Sequence, residues 1–418
     1  MRIFWSMSMT SILAQKCYSG YTMGIFSKKR IYADWAATTP LHSRVAAAMK
    51  KARRSWANPS GIYKEGVEAK KALEAARTKC ARLIGVKNEE IYFTSGGTEA
   101  NGTIIQGVLR TKLEKGEKNV HVVTTAIEHS SVLEVLKLFG QHGVTVTYVA
   151  PGPDGVVRAD DVLKAITPAT ALVTVMLANN EIGTVQPVSK IGAGIRKLRA
   201  EKFGKGDQMG ASFPVFHVDA SQAPLWLSCE MEGLRADALT LDAHKMQGPK
   251  GVGALIVRRH VSWEPLMIGG GQERGKRPTT ESVELATGFA EALSIAQEGR
   301  QPRAKRAASI RDYFFDQVSK HLPQAIVNGS LAERLPNNVN ISLPNISDPE
   351  LAVLFLDKEG IACSTKSSCL KGEEQSYVVT ALGGEPWRAK NTLRFTLAPD
   401  ATKRDADYIV GTLKKLNV

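Results

Sequence analysis

The sequence predicts an α/β protein, with a large domain built on a mostly parallel sheet flanked by helices and a smaller domain beside it. Three observations carry that expectation. Short apolar runs of strand length alternate with helical stretches such as Gly66–Leu83 and Ser189–Leu198, the pattern of βαβ units. Several of those runs stop at a polar residue capable of chemistry rather than fading into a polar loop. The chain has 418 residues, enough for one large α/β domain and a smaller one.

The elements follow in order. Ile91–Thr94 reads as a strand, Gly96-Gly97 as a tight turn, and the residues after them as a helix. The backbone amides of Gly97 and Thr98, with the Thr98 hydroxyl, would face an anion at that helix N-terminus. The segment has neither the GxGxxG spacing of a dinucleotide site nor the GK[ST] of a P-loop. Val120–Thr125 is the next strand-like run, and His129 follows it, either to stack on a flat cofactor or as a loop histidine. After the apolar run Ala171–Ala178 comes LANNEIGTVQP, whose Asn180 could bond a ring hydroxyl or a substrate carboxylate. Val215–Val218 has the length of a buried parallel strand and ends in Asp219. A carboxylate there points into the crevice where open α/β sheets bind ligands, or else caps the next helix. Gln222 lies three residues on.

The run Ala236–Leu241 leads into DAHKMQGPKG, residues 242–251. Lys245 therefore sits where a buried strand gives way to a glycine-rich turn. Partial desolvation favours its neutral, nucleophilic amine, which a Schiff-base enzyme needs. Pyridoxal phosphate also needs a carboxylate against its pyridine nitrogen, a role open to Asp219, and Gln222 could reach its phenolic oxygen. Near the C-terminus, Arg394 in LRFTLAP offers a bidentate fork to a carboxylate, or a structural salt bridge. Residues 360–377, GIACSTKSSCLKGEEQSY, read as a mobile loop around Cys369, with Lys366 and Lys371 favouring its thiolate. Cys363, after Ile361-Ala362, reads as packed, and the spacing of the two cysteines does not support a metal site.

Composition narrows the classes. A hydrophobic share of 43% and a charged share of 23% are ordinary for a globular protein. The net charge of +14 favours RNA or acidic protein partners at long range, but no basic cluster interleaved with aromatics marks a nucleic-acid module. Five cysteines at irregular spacing form no disulfide framework and fit a reducing compartment. The apolar content of the first thirty residues is too short and interrupted for a membrane-spanning helix, and no membrane partner is expected. Residues 1–30 hold no acid and five basic residues, which reads as a transit-like extension or as a start placed too early, with translation beginning at Met23. The expected compartment is the cytoplasm, or an organellar matrix if the extension is a transit peptide.

Taken together, YADWAATTP (32–40), SGGTEAN (95–101), EHSS (128–131), NNEIGTVQP (179–187), VDASQ (218–222), AHKMQGPKG (243–251), GGGQERGKRPTTE (269–281), the Cys369 loop and LRFTL (393–397) stand in one family's order. From about Ile31 to the C-terminus the chain resembles the cysteine desulfurases of fold type I, pyridoxal-phosphate enzymes of the class V aminotransferase group. The Cys369 loop is similar to the longer type found in enzymes of iron–sulfur cluster assembly and tRNA thiolation.

The resemblance implies a large cofactor-binding domain over 50–285. It implies a small domain made of 31–49 with 286–418, carrying the cysteine loop. It makes Lys245 the Schiff-base lysine, sets Asp219 on the pyridinium and stacks His129 on the ring, with Gln222 and Asn180 at its edge. Gly97, Thr98 and His244 would hold the phosphate, Thr280 would reach the phosphate of the other subunit of a homodimer, Asn180 and Arg394 would hold the substrate carboxylate, and Cys369 would take the sulfur. The implied reaction converts L-cysteine to L-alanine and passes sulfur to an acceptor protein, either an iron–sulfur scaffold or a tRNA-thiolation protein. The rivals are a selenocysteine lyase or class V aminotransferase of the same fold, and a non-catalytic scaffold or RNA-binding protein that retains it. Four positions depart from the family pattern: Trp35 for asparagine, Thr279 for glycine, Lys366 for a small residue, and Asp242 for a phosphate-binding serine. A carboxylate beside a phosphate is repulsive unless it is turned away or bonded to His244 or Thr280.

Overall fold

The computed structural model describes residues 30–203, 214–346, 348–365 and 375–416. Cys369, Lys366 and Lys371 lie outside the described residues. The strands are β1 (Ile31–Tyr32), β2 (Ile91–Thr94), β3 (His121–Thr125), β4 (Thr145–Val149), β5 (Thr170–Met176), β6 (Val215–Asp219), β7 (Ala238–Asp242), β8 (Gly253–Val257), β9 (Ile326–Val327), β10 (Asn338–Ser342), β11 (Ile361–Ala362) and β12 (Thr392–Thr396). The longer helices are α1 (Ser43–Ala52), α2 (Lys64–Ile84), α3 (Gly97–Leu113), α4 (Ser130–Gln141), α5 (Val188–Phe203), α6 (Val283–Gln297), α7 (Arg300–His321), α8 (Pro349–Lys358) and α9 (Lys403–Leu413).

Seven strands form the central sheet in the order β2-β8-β7-β6-β5-β3-β4. Neighbours from β7 to β4 are parallel, whereas β8 runs antiparallel to both β2 and β7. The alternation of side chains along each strand builds a core on each face of this sheet. Leu172, Val215, Ala238 and Leu255 pack with Ile104, Ile105 and Val108 of α3 and with Leu136 of α4. Their chain neighbours Val173, Phe216, Leu239 and Ile256 turn to the other face, toward Leu73 and Cys80 of α2 and Phe289 of α6. Both faces are thus covered, as a mostly parallel sheet requires.

A second core gathers Val339 and Ile341 of β10, Leu393 and Phe395 of β12, Phe314 and Val318 of α7, and Ile409 of α9. The antiparallel sheet β9-β10-β12 supports it, and the parallel pair β1-β11 adds Ala33 and Ile361. Among the described residues no helix is long and apolar enough to cross a membrane.

Candidate active site

The carboxyl ends of β5, β6 and β7 open into one cleft of about 170 Å³. Asp219 is the last residue of β6 and Asp242 the last of β7, so both carboxylates arrive there because a strand ends. Just past β7, residues Ala243–Lys245 form a tight turn whose closing bonds run from the Met246 and Gly248 amides to the Ala243 carbonyl. The segment 36–39 pins this turn. Thr39 gives both its amide and its hydroxyl to the His244 carbonyl, at 2.9 and 2.8 Å, and takes the Gln247 amide on its oxygen. Lys245 Nζ donates to the carbonyls of Ala36 and of Ala37, the latter at 2.8 Å. The lysine is therefore aimed into the cleft by backbone on two sides.

The sequence-predicted residues Gly97, Thr98, His129, Asn180, Asp219, Gln222, His244, Lys245 and Arg394 all line this cleft. Thr280 does not; it is exposed on the segment leading into α6. Gln222 Nε2 donates to the Ala36 carbonyl at 3.0 Å, which fixes its amide against the same strap that holds Lys245. His244 Nδ1 lies 3.0 Å from the Thr38 hydroxyl.

A chain of side-chain bonds organises the wall around Asp219. Its Oδ1 accepts the Ser221 amide at 2.9 Å and the Ser221 hydroxyl at 2.6 Å, and its Oδ2 accepts Asn101 Nδ2 at 2.8 Å. Asn101 Nδ2 also reaches Ser131 Oγ at 2.8 Å, which in turn lies 2.8 Å from His129 Nδ1. His129 caps α4 by accepting the Ser131 amide on Nδ1, which assigns the proton of the neutral ring to Nε2. Burial, aided by the Lys245 charge, pulls the imidazole below its ordinary range, against the pull of Asp219 and Asp242. Behind it, Glu128 is wholly buried. Burial pushes its carboxyl up to about 8, and the negative Asp219 adds to the rise, although the Thr125 hydroxyl and Met176 amide donate to it.

Asn101, Ser131 and Ser221 are functional neighbours that sequence reading missed. The spacing of α3 offered the signal for one of them: Asn101 lies four residues after Gly97, on the same helix face as the cup.

The remaining walls concern carboxylates and the cysteine. Arg394, 1% exposed, donates from Nη1 to the Asn180 carbonyl at 2.8 Å and from Nη2 to Asp34 at 2.7 Å. Arg394 thus makes a structural salt bridge with Asp34 and also lines the cleft. Asn180 Oδ1 is buried without a partner on this wall. Ser364 is paired to Arg394 by two backbone bonds, Ser364 N to Arg394 O at 3.1 Å and Arg394 N to Ser364 O at 2.6 Å. Cys363 is packed in the second core, where burial and the nearby Asp34 push its thiol up to about 12 despite Arg394. It is a poor nucleophile there.

At the other end, β2 passes into Ser95-Gly96 and α3 begins at Gly97. The turn rests on β8, where a Cβ at Gly253 would come within 2.7 Å of the Gly96 backbone. Only glycine at 253 permits that approach. The Gly97 amide donates to Asp242 Oδ2 at 2.8 Å, and His244 Nε2 lies 3.4 Å from the same oxygen. Asp242 is thus turned toward the cup and not toward Thr280.

Residues 31–409 match the family model described as Aminotransferase class-V. The chain belongs to that family. Family relatives include the "Cysteine desulfurase IscS" of Dictyoglomus turgidum, 37% identical over 391 residues that cover 93% of this chain and 95% of that protein. That of Clostridium botulinum is 35% identical over 392 residues, 93% of this chain and 94% of that protein. Among solved structures, a "NIFS-like protein" superposes with a TM-score of 0.83 at 32% identity, covering 93% of this chain and 99% of that one. "SspA in complex with cysteine" gives 0.75 at 30% identity, covering 89% of this chain and 100% of that one. The cofactor of the family is pyridoxal 5′-phosphate. The cleft fits its ring end: it offers an amine, a triply bonded carboxylate, an imidazole and an unpartnered buried amide. Asp242 in the cup is the one feature that does not suit its phosphate end.

Proposed function

We propose that this protein is a cysteine desulfurase that converts L-cysteine to L-alanine and retains the sulfur on Cys369 as a persulfide. The observation that carries the reading is the meeting of Lys245, Asp219, His129 and Arg394 in one cleft, with the stem of the cysteine loop bonded to Arg394. Pyridoxal phosphate, when bound, supplies the electron sink for bond breaking at the substrate Cα. Lys245 takes and returns the Cα proton, since its amine is held in the cleft by the Ala36 and Ala37 carbonyls. Asp219, fixed by Ser221 and Asn101, stands as the carboxylate for the ring nitrogen. His129 supplies a neutral flat face. Arg394 and the Asn180 amide, both on the cleft wall, take the substrate carboxylate.

The Cys369 thiolate attacks the substrate sulfur. The S–S bond forms as the C–S bond breaks, one proton (matching the one Cys369 gives up as a thiolate) goes to the methyl carbon, the substrate's own thiol hydrogen stays on the transferred sulfur, and the products are alanine and Cys369–SSH. An acceptor protein of iron–sulfur assembly or tRNA thiolation then removes the sulfur. Cys369→Ser is expected to keep cofactor binding and to lose sulfide and persulfide formation, because a hydroxyl cannot replace the thiolate as sulfur acceptor. Mass spectrometry after L-cysteine treatment should place one added sulfur on Cys369; finding it on Cys363 reverses the two assignments.

A homodimer is part of this reading. Thr280 is exposed and outside its own cleft, as a residue serving the partner's phosphate would be. Its segment is anchored by Glu273, which forms a buried ion pair with Arg77 at 2.7 Å and accepts the Phe93 amide at 3.1 Å. A proposed division into a large domain and a small one is supported by the separate second core, although Val45 of α1 and Phe289 and Leu293 of α6 pack into the first core and favour placing α1 and α6 with the large domain. A reducing cytoplasm suits the three described cysteines, all free thiols.

A further inference from the structure

Asp242 occupies the position in the cup that an incoming anion needs. The first amide of α3, from Gly97, points at the cleft and already has an anionic partner at 2.8 Å. A Cβ placed on Gly97 would lie 3.0 Å from both Asp242 Oδ2 and Ser221 Oγ, so side chains of the chain itself also crowd the space beside this residue. The carboxylate is buried, and the groups around it hold its charge. Burial alone would raise its carboxyl, but His244, the Gly97 amide and the Lys245 charge together bring it below the ordinary range. Thr98, His244 and Lys250 line the outer part of the same cup, and Glu99 is engaged by Arg277 at 2.9 Å.

We propose that Asp242 is a resident anion in the phosphate cup, one that competes with the cofactor phosphate for the Gly97 amide and so weakens cofactor binding specifically through the phosphate. This rests on the reading of the cleft as a pyridoxal-phosphate site. A phosphate dianion and a buried carboxylate cannot share one amide: at hydrogen-bond range two like charges in a partly desolvated site repel by several kcal/mol even at an effective dielectric of about 20. The phosphate either displaces Asp242 from Gly97 or settles on Thr98 and His244 without that amide. In both cases affinity falls, while the ring end is untouched. The protein would therefore exchange its cofactor readily, and ring contacts would carry more of the binding.

The test compares pyridoxal 5′-phosphate with pyridoxal, which has the same ring without the phosphate. Cofactor-stripped full-length protein, as wild type, Asp242→Ser and Asp242→Asn, is titrated with each compound and followed by absorbance and tryptophan fluorescence. Asp242→Ser should tighten pyridoxal 5′-phosphate by about tenfold or more, and Asp242→Asn by a smaller factor, with pyridoxal changed less than about twofold. Inorganic phosphate should raise the melting temperature of stripped Asp242→Ser more than that of stripped wild type. Unchanged or weaker binding of pyridoxal 5′-phosphate in both variants overturns the proposal, and would assign Asp242 to orienting His244 instead. Equal tightening of both compounds also overturns it. If wild type binds neither compound, the cofactor reading itself fails, and that outcome is distinct from the other two.

Discussion

Two carboxylates end neighbouring parallel strands, Asp219 on β6 and Asp242 on β7, and they meet opposite surroundings. Asp219 takes its three donors from Ser221 and Asn101, none of them an amide at the start of α3. Asp242 takes the first amide of that helix. At the proposed ring end, Ser221 and Asn101 hold the Asp219 carboxylate in place. At the phosphate end, the charge consumes a donor the ligand would use. Residue type and position at the strand end are the same, so in the proposed reading the donors decide which carboxylate would serve the cofactor and which would oppose it.

The comparison can be broken at its centre first. Lys245→Ala removes the amine that lines the cleft between the two ends, and turnover of L-cysteine should fall by at least about 10³-fold, measured as alanine release. Mass mapping after borohydride reduction should find the cofactor on Lys245 in wild type; attachment to Lys250 would sink the lysine assignment. Removing charge at each end should then give opposite signs. Asp219→Asn is expected to lower kcat by about 10²–10³-fold with cofactor still bound, the scale of losing a preorganised electrostatic partner. Asp242→Asn should instead tighten the cofactor. Parallel losses in both variants would erase the distinction.

The smallest effect lies behind the ring end. Glu128 has its carboxyl raised to about 8 by burial, against an ordinary value of 4.5. Its folded form therefore keeps a proton the unfolded chain has lost. The stability it contributes is complete below pH 4.5 and fades as pH rises toward 8. His217, buried between Thr174 and Thr240, works in the other direction, because burial lowers its imidazole to about 4 from 6.5. Its contribution is present above pH 6.5 and is lost as pH falls through 4. Urea midpoints of Glu128→Gln and wild type should match near pH 5 and separate steadily up to pH 8, with the variant the more stable. A constant gap would mean that Glu128 is ionised throughout.

Much of the central sheet was legible because its strands are apolar and end where chemistry begins. The runs at Ile91–Thr94 and Val215–Asp219 fall where the structure places β2 and β6. The antiparallel course of β8 was not legible, since GALIV reads alike in either direction. The second region hid better. β10 is NVNIS, and Asn338 and Asn340 are fully buried, donating to the Glu181 carbonyl, while Asn328 bonds Asn340 and Ser342. Val339 and Ile341 face the apolar second core while the alternate positions of β10 form a buried amide layer, and burial of a polar face escapes a reading that looks for apolar runs. In the site, the strand-end residues were visible one at a time, but partners such as Asn101 and Asp34 belong to contacts between distant segments. Asp34 meets Arg394 across 360 residues of chain.

One earlier feature bears on how sulfur leaves the substrate. The segment from 366 to 374 is joined at one end to Ser364, laddered onto Arg394, and at the other to Ser376, whose hydroxyl donates to the buried Glu181 at 2.6 Å. Tyr377 adds a bond to the Glu128 carbonyl. The described residues on either side of 366–374 are thus held, one by Arg394 on the cleft wall and the other by the buried Glu181. If Cys369 accepts the sulfur as proposed, acceptor and substrate belong to one complex, so persulfide formation does not depend on protein concentration. A free thiol in solution would then compete with a group that dilution does not remove.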